Sequence, residues 1–354
     1  MRNLDGKTVE DEDGRGSKSA TYCVTGATGF IGSWLVKLLL QRGYTVHATL
    51  RNPEKSLNLL SLWTGSDRLR LFRADLREEG SFDEAVKGCD GVFHVAASMT
   101  FSVDQQDNIE DYVQSNVINP EINGTISLLK SCLKSGSVKR VVLTSTISTL
   151  TGKDANGERR HVVDESCLTS MDHVWKTKPS GWIYAISKRL TEEAAFKFAY
   201  ENGIDIVSVI TSTVSGPFLI SNIPASVQVL TAPITGDPRF LGIVSNVNER
   251  IGSVALVHTN DICRAHIFLM EHADAKGRYL CCIGSWPLSK LVECLSRHYP
   301  SILQRFVDEK QNGMPSEVSN KKLRDLGFEF HHGLDDIIKD TIDACVECGF
   351  ITLT

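Results

Sequence analysis

The sequence predicts an α/β fold, a doubly wound parallel sheet with a smaller, interleaved C-terminal lobe. Three observations predict it: strand and helix patterns alternate along most of the chain, a glycine-rich turn joins the first strand to the first helix, and the composition is that of an ordinary globular protein. With 354 residues, 42% of them hydrophobic and 23% charged, the chain can bury a substantial core. It is neither collagen-like nor wholly disordered.

The elements follow in order. Met1 to Ser19 carry Asp5, Glu10, Asp11, Glu12 and Asp13 with almost no apolar side chains, and read as a disordered tail without a secretory or transit signal. Thr21 to Thr25 reads as a buried strand, and Phe30 to Gln41 has helical apolar spacing that Gly43 stops. Strands at Tyr44 to Leu50, Leu69 to Arg73, Gly91 to Val95 and Arg140 to Ser145 alternate with helices near Phe82 to Val86 and along Ile109 to Leu133. A helix at Tyr184 to Tyr200 ends at Asn202-Gly203, and a strand follows at Ile204 to Ile210. Strand then helix, repeated, means a parallel sheet covered on both faces. From Ser215 to Asp237 the texture changes to Gly216-Pro217, Pro224, Pro233 and Gly236. Beyond it, strands at Ser253 to Val257 and Arg278 to Cys282 mix with helices at Asp261 to Glu271, Leu288 to His298 and Leu334 to Glu347.

Charge and cysteine usage exclude several functions. A net charge of -5 leaves no basic footprint for nucleic acid, and no apolar run reaches the roughly 18 to 20 residues that insert into a membrane. No obligate protein partner is evident; the expected partner is a small-molecule substrate. The ten cysteines have no framework spacing, which suits a reducing, cytoplasmic setting. Cys345-Val-Glu-Cys348 lacks the second pair of a zinc site and reads as two ordinary helix cysteines. His258, Asp261 and His266 read as a helix-start carboxylate with histidines packed around it rather than as a metal site, and no metal is expected.

Gly26-Ala27-Thr28-Gly29-Phe30-Ile31-Gly32 occupies the strand-turn-helix junction where helix N-terminal amides meet a pyrophosphate. One glycine permits the tight turn, one lets backbone approach the phosphates, and one lets the helix pack on the strand. Arg51 ends the second strand, where an acidic residue would grip the ribose of NAD. A guanidinium there can pair a 2′-phosphate bidentately, so NADPH is the expected cofactor, with Lys55 assisting. The expected organisation is a tail at 1–19, a dinucleotide-binding Rossmann unit at 20–212 to which later segments return, and a mainly substrate-binding lobe at 213–354.

Tyr184 and Lys188 are four residues apart, hence on one helix face. A free phenol, with a pKa of about 10, holds its proton too tightly to be an efficient acid, and a neighbouring cation is expected to depress that value. Such a pair can protonate a reduced carbonyl oxygen.

The GxxGxxG spacing and this Tyr-Lys pair together resemble the extended short-chain dehydrogenase/reductase superfamily. The resemblance implies that Asp75-Leu76 flanks the adenine ring, that Val95, Ala96 and Ala97 admit the cofactor's ribose, and that Thr211 and Val214 also bind cofactor. It makes Tyr184 the proton donor and sets Lys188 on the nicotinamide ribose. Thr146, with Ser145 as the alternative, would hydrogen-bond the substrate carbonyl.

Within the superfamily, most of residues 20–350 look like the plant dihydroflavonol reductase, anthocyanidin reductase and vestitone reductase group. The likeness rests on Val24-Thr25-Gly26, Val163-Asp164-Glu165-Ser166, Gly181-Trp182-Ile183-Tyr184, Ser215-Gly216-Pro217-Phe218, Ile234-Thr235-Gly236 and Val257-His258-Thr259-Asn260-Asp261, and is strongest to anthocyanidin reductase-like proteins. Two residues depart: Thr151 stands where dihydroflavonol reductases have an Asn, and Thr211 where the group usually has Pro. The resemblance implies reduction of a carbonyl or conjugated system in a bulky plant metabolite, a flavonoid or related phenolic. An alkaloid or steroid ketone, a nucleotide-sugar epimerase or dehydratase, and a non-catalytic NADPH-binding regulator are the alternatives.

Overall fold

The structure, a computed structural model, describes residues 20–52, 67–103, 108–154, 157–299 and 315–352. The tail expected at 1–19 and Lys55 lie outside the described residues.

The first half alternates β1 (Thr21–Thr25), α1 (Phe30–Gln41), β2 (Thr45–Leu50), β3 (Leu69–Arg73), α2 (Asp83–Val86) and β4 (Gly91–His94). Then come α3 (Ile109–Val113), a π-helical turn at Gln114–Ile118, α4 (Asn119–Ser135) and β5 (Arg140–Thr146). After β6 (Val162–Val163) and α5 (Met171–Thr177), the long helix α6 (Trp182–Asn202) leads to β7 (Ile206–Thr211) and β8 (Thr213–Ser215). The remainder is α7 (Ala225–Thr235), α8 (Pro238–Ile251), β9 (Val254–His258), α9 (Thr259–Glu271), β10 (Gly277–Cys281), β11 (Gly284–Trp286), α10 (Leu288–His298), β12 (Glu317–Val318), α11 (Lys321–Asp325) and α12 (Leu334–Glu347).

Seven strands form one sheet in the order β10-β7-β5-β4-β1-β2-β3, and every pairing in it is parallel. Successive strand residues point to opposite faces. Val24, Phe93 and Val142 join a core with α1 and α9, while Cys23, Val92 and Val141 join one with α2, α4 and α6. The central strands are therefore buried on both faces, as in β5 and β7. Strand order reverses between β1 and β4, which opens a crevice beyond their carboxyl ends.

The second half interleaves with the first. Strand β10 returns to the edge of the main sheet beside β7, and α9 packs on α1. A separate apolar core gathers α7, α8, α10 and α12 around β9, and β9 lies in a small sheet between β8 and β11. Among the described residues no helix is long and apolar enough to cross a membrane.

One expectation needs correction, and two helices come in addition to those expected. The helix expected along Ile109 to Leu133 is interrupted by the π-helical turn before Pro120, because a proline lacks the N–H that would continue the ladder. Ser215 to Asp237, marked in the sequence only by a change of texture, contains a helix: α7 runs through Pro233 and stops at Gly236 in the left-handed conformation, the proline falling in the last turn. Helix α8 was absent from the expected order, although Asp237 accepts the Arg239 N–H at 2.9 Å and Pro238 takes the first helical position, a start signal present in the sequence.

Candidate active site

A cleft of about 1470 Å³ runs along the carboxyl edge of the sheet, larger than the roughly 300–1,000 Å³ of one small-molecule pocket. One end is built by the glycine turn. Gly26 has φ +66°, and a Cβ on it would sit 2.9 Å from Ala96 Cα; a Cβ on Gly32 would meet the Gly26 carbonyl at 2.2 Å. Helix α1 thus begins tight against β1, and β1 tight against the end of β4. Gly29 caps α1 without a side-chain bond, and no acidic residue lies in its first turn. The free N–H groups and the positive end of the helix dipole therefore remain available to an anion.

Thr25 organises the reversal point. Its hydroxyl accepts the N–H groups of Val95 and Ala96 at 3.1 and 3.0 Å, so its own proton goes to His94 Nδ1, 3.0 Å away. His94 Nε2 then donates to the Thr125 hydroxyl at 3.0 Å. Burial, with the charge of Lys188 adding to it, holds the His94 pKa down to about 3, so the ring is neutral.

Thr28, Phe30, Ile31, Leu50, Arg51, Asp75, Leu76, Ala97, Thr211 and Val214 border the same cleft. Arg51 is exposed, and among the described residues no carboxylate pairs with it. Asp75 accepts the Arg77 N–H at 3.0 Å. A Cβ on Gly124 would lie 2.6 Å from Leu76 Cβ, so α4 packs directly beneath that loop. The Thr211 hydroxyl donates to the Ser145 carbonyl at 3.0 Å.

The chemical groups converge further along. Gly181, at φ +78°, starts α6, which puts Tyr184 in its first turn and Lys188 one turn on. Lys188 is buried, and its Nζ donates to the Thr144 carbonyl at 2.8 Å. Thr144 in turn bonds through its hydroxyl to His266 Nε2 at 2.8 Å. Burial pulls the Lys188 pKa down, against the opposing charges of Glu121 and Glu192.

The expected depression of the Tyr184 pKa by Lys188 is overturned. Burial pushes the phenol up to about 12; the Thr146 side chain pulls it down and the Glu121 charge pushes it up. The ammonium is turned to the Thr144 carbonyl, so desolvation dominates. At neutral pH the phenol is firmly protonated. Thr146 is the hydroxyl that meets Tyr184 and also contacts the Ser148 hydroxyl at 2.8 Å, whereas the buried Ser145 hydroxyl has no partner among the described residues.

Two residues that border the cleft, Phe101 and Glu121, and Glu192 behind it carry no expectation from the sequence. The Phe101 ring lies 5.1 Å from that of Tyr184. Glu121 is buried and accepts the Ser98 N–H at 2.9 Å; an acidic residue beside Pro120 in the first turn of the helix is its only signal in the sequence. Glu192 is held by Arg278 at 3.0 Å, which ties α6 to β10.

Asp261 does not cap its own helix. The cap of α9 is His258, whose Nδ1 accepts the Asn260 N–H at 3.1 Å. The Asp261 carboxylate instead accepts the N–H groups of His331 and His332 at 3.1 and 3.0 Å and the His332 ring at 3.1 Å. Among the described residues no cluster could hold a metal ion. Cys345 is buried and Cys348 exposed, and both are free thiols.

Comparison with known proteins adds the lineage. The family model described as "NAD dependent epimerase/dehydratase family" matches residues 22–282. A Ginkgo biloba protein provisionally named an anthocyanidin reductase is 43% identical over 95% of this chain and 97% of its own. The bifunctional dihydroflavonol 4-reductase/flavanone 4-reductase of Malus domestica is 40% identical over 96% and 94%. Among solved structures, vestitone reductase from alfalfa superposes with a TM-score of 0.77 at 33% identity, covering 94% of this chain and all of its own. A yeast methylglyoxal/isovaleraldehyde reductase complexed with NADPH has the same fold, at a TM-score of 0.74 and 22% identity over 94% of this chain and 100% of that one. By the match at 22–282 and by relatives aligned along nearly all its length, the chain belongs to the NAD dependent epimerase/dehydratase family.

Proposed function

We propose that this protein is an NADPH-dependent reductase that delivers hydride to a carbonyl or conjugated system of a bulky plant metabolite, a flavonoid or related phenolic. The observation that carries the reading is the meeting of a protonated phenol and the Thr146 hydroxyl on the wall of a cleft whose other end offers an uncapped helix N-terminus. The names of the relatives support the substrate class. Residues 20–212 would hold most of the dinucleotide side, and 213–354 most of the substrate side.

The residues present fit a bound NADPH. Gly26, Gly29 and Gly32 border the cleft with no side chain between their backbone and a bound pyrophosphate, the α1 amides would receive it, and Arg51 would pair the 2′-phosphate. The nicotinamide supplies the hydride when bound. Thr146 donates to the substrate oxygen and orients it. As negative charge grows on that oxygen, Tyr184 gives up its proton to it, completing the alcohol. Lys188, fixed by the Thr144 carbonyl at 2.8 Å, ties the helix carrying Tyr184 to the strand carrying Thr146 and would hold the nicotinamide ribose.

The test is NADPH oxidation by the purified protein against a panel of flavonoid, alkaloid and steroid ketones. Turnover of a flavonoid is expected. Turnover confined to the other two classes moves the substrate assignment, and micromolar NADPH binding with no turnover across the panel defeats the reading.

A further inference from the structure

We propose that Arg250 forms an oxyanion-recognition subsite in the substrate end of the cleft, selecting ketones that also carry a carboxylate or an ionised phenol. The inference rests on the reductase reading and refines its substrate.

Arg250 closes helix α8 and borders the cleft beside Ser148 and Thr151. Its backbone is fixed, because its carbonyl accepts the Gly152 N–H at 3.2 Å. Its side chain is poorly satisfied. Of five guanidinium N–H donors, one reaches the Ser148 carbonyl at 3.2 Å, while Nε is sealed from solvent and has no acceptor among the described residues. Glu249 borders the same end of the cleft, yet among the described residues no carboxylate forms an ion pair with Arg250. Burial pulls its pKa down to about 10, which leaves it charged at neutral pH.

A half-buried cation without an anion is costly, and a planar fork of donors suits a carboxylate or phenolate. The position relative to the chemistry sharpens this. Thr146 contacts the Ser148 hydroxyl at 2.8 Å, and the Ser148 carbonyl holds Arg250. The guanidinium is thus one residue removed from the hydroxyl proposed to hold the reducible oxygen. A ligand with its ketone on Thr146 would place an anionic substituent on the α8 side of the cleft against Arg250. The bond it forms there is a charge-assisted hydrogen bond, with no covalent step.

Matched probes separate the two anion sources: meta- and para-acetylbenzoate with their methyl esters, and para-hydroxyacetophenone with its methyl ether. Wild-type protein is expected to favour the acid over the ester, or the phenol over the ether, in kcat/KM. Arg250→Gln should lower that preference by about tenfold or more, the loss of one charge-assisted pair, and Arg250→Lys should retain part of it. Equal losses for both members of each pair would mean that Arg250 only braces the Ser148 loop, and would overturn the proposal.

Failure of the reductase reading is told apart by a binding readout. In the presence of NADPH, the acid should raise the melting temperature of the wild type more than its ester does. That difference should vanish in Arg250→Gln, even where no probe is reduced. Equal shifts in wild type and variant would also overturn the proposal, and should the glutamine variant fail to fold, the acid-against-ester comparison on the wild type decides alone.

Discussion

The Lys188 ammonium donates to the backbone carbonyl of Thr144 at 2.8 Å, which pins the helix carrying the phenol to the strand carrying the substrate-facing hydroxyl. The same strand is braced from its other side, where the Thr144 hydroxyl meets a His266 ring kept neutral by burial, its pKa near 4. Three elements distant in sequence thereby set the spacing of Tyr184 and Thr146, the two groups that must reach one oxygen atom.

Tyr184→Phe removes the proton donor and little else. Ketone reduction should fall by about 10²- to 10⁴-fold, while NADPH affinity, measured by fluorescence titration, stays at the wild-type value. A variant that keeps full activity would assign the proton to another group.

Glu121→Gln should shift the pH profile. The Glu121 charge raises the Tyr184 pKa, and reduction needs the protonated phenol. Neutralising Glu121 lowers that pKa, so the alkaline limb of kcat/KM moves to lower pH. Glutamine can still accept the Ser98 N–H, which keeps the loop in place. An alkaline limb that stays where it is would disconnect Glu121 from the phenol.

Arg51→Asp should exchange the cofactor preference. Losing a charge-assisted contact costs about 1.5–3 kcal/mol, or roughly ten- to a hundredfold in affinity for NADPH. The new carboxylate can accept from a ribose hydroxyl and should improve NADH use. Parallel changes in KM for the two cofactors would place Arg51 outside the phosphate contact.

Asp261→Asn should destabilise the fold by about 3 kcal/mol, since it breaks a buried charge pair. Burial raises the Asp261 pKa, but the His332 ring and the N–H groups of His331 and His332 outweigh it, and the net shift is downward. That contribution is present above the ordinary carboxylate range and is lost as pH falls through the folded value. The His332 pKa is raised, chiefly by its bond to Asp261, so its contribution is full below about pH 6.5 and is lost as pH rises through the folded value. The difference in melting temperature between wild type and variant should therefore peak between about pH 4 and 6.5; a difference independent of pH would mean that packing, not charge, holds the junction.

Much of the scaffold could be read from local pattern. Helices Phe30–Gln41, Leu288–His298 and Leu334–Glu347 have the expected boundaries, because amphipathic spacing and glycine stops are short-range signals. Helices α7 and α8 escaped because Pro233 and Gly236 suggest a loop when counted as composition, although Asp237-Pro238 marks a helix start when read by position.

The sequence by itself determined the alternating fold, the glycine turn, the Tyr184 and Lys188 pairing on one helix face and the arginine that ends β2, since each is carried by residues within one turn or one strand of each other. Tertiary structure alone decided the electrostatics and the far wall of the site. Glu121 and Phe101 reach Tyr184 from separate segments, and Arg250 meets Ser148 across 102 positions. The phenol is held protonated by desolvation rather than acidified by its lysine. Burial and long-range contact are properties of the packed chain, and no spacing along the sequence encodes them.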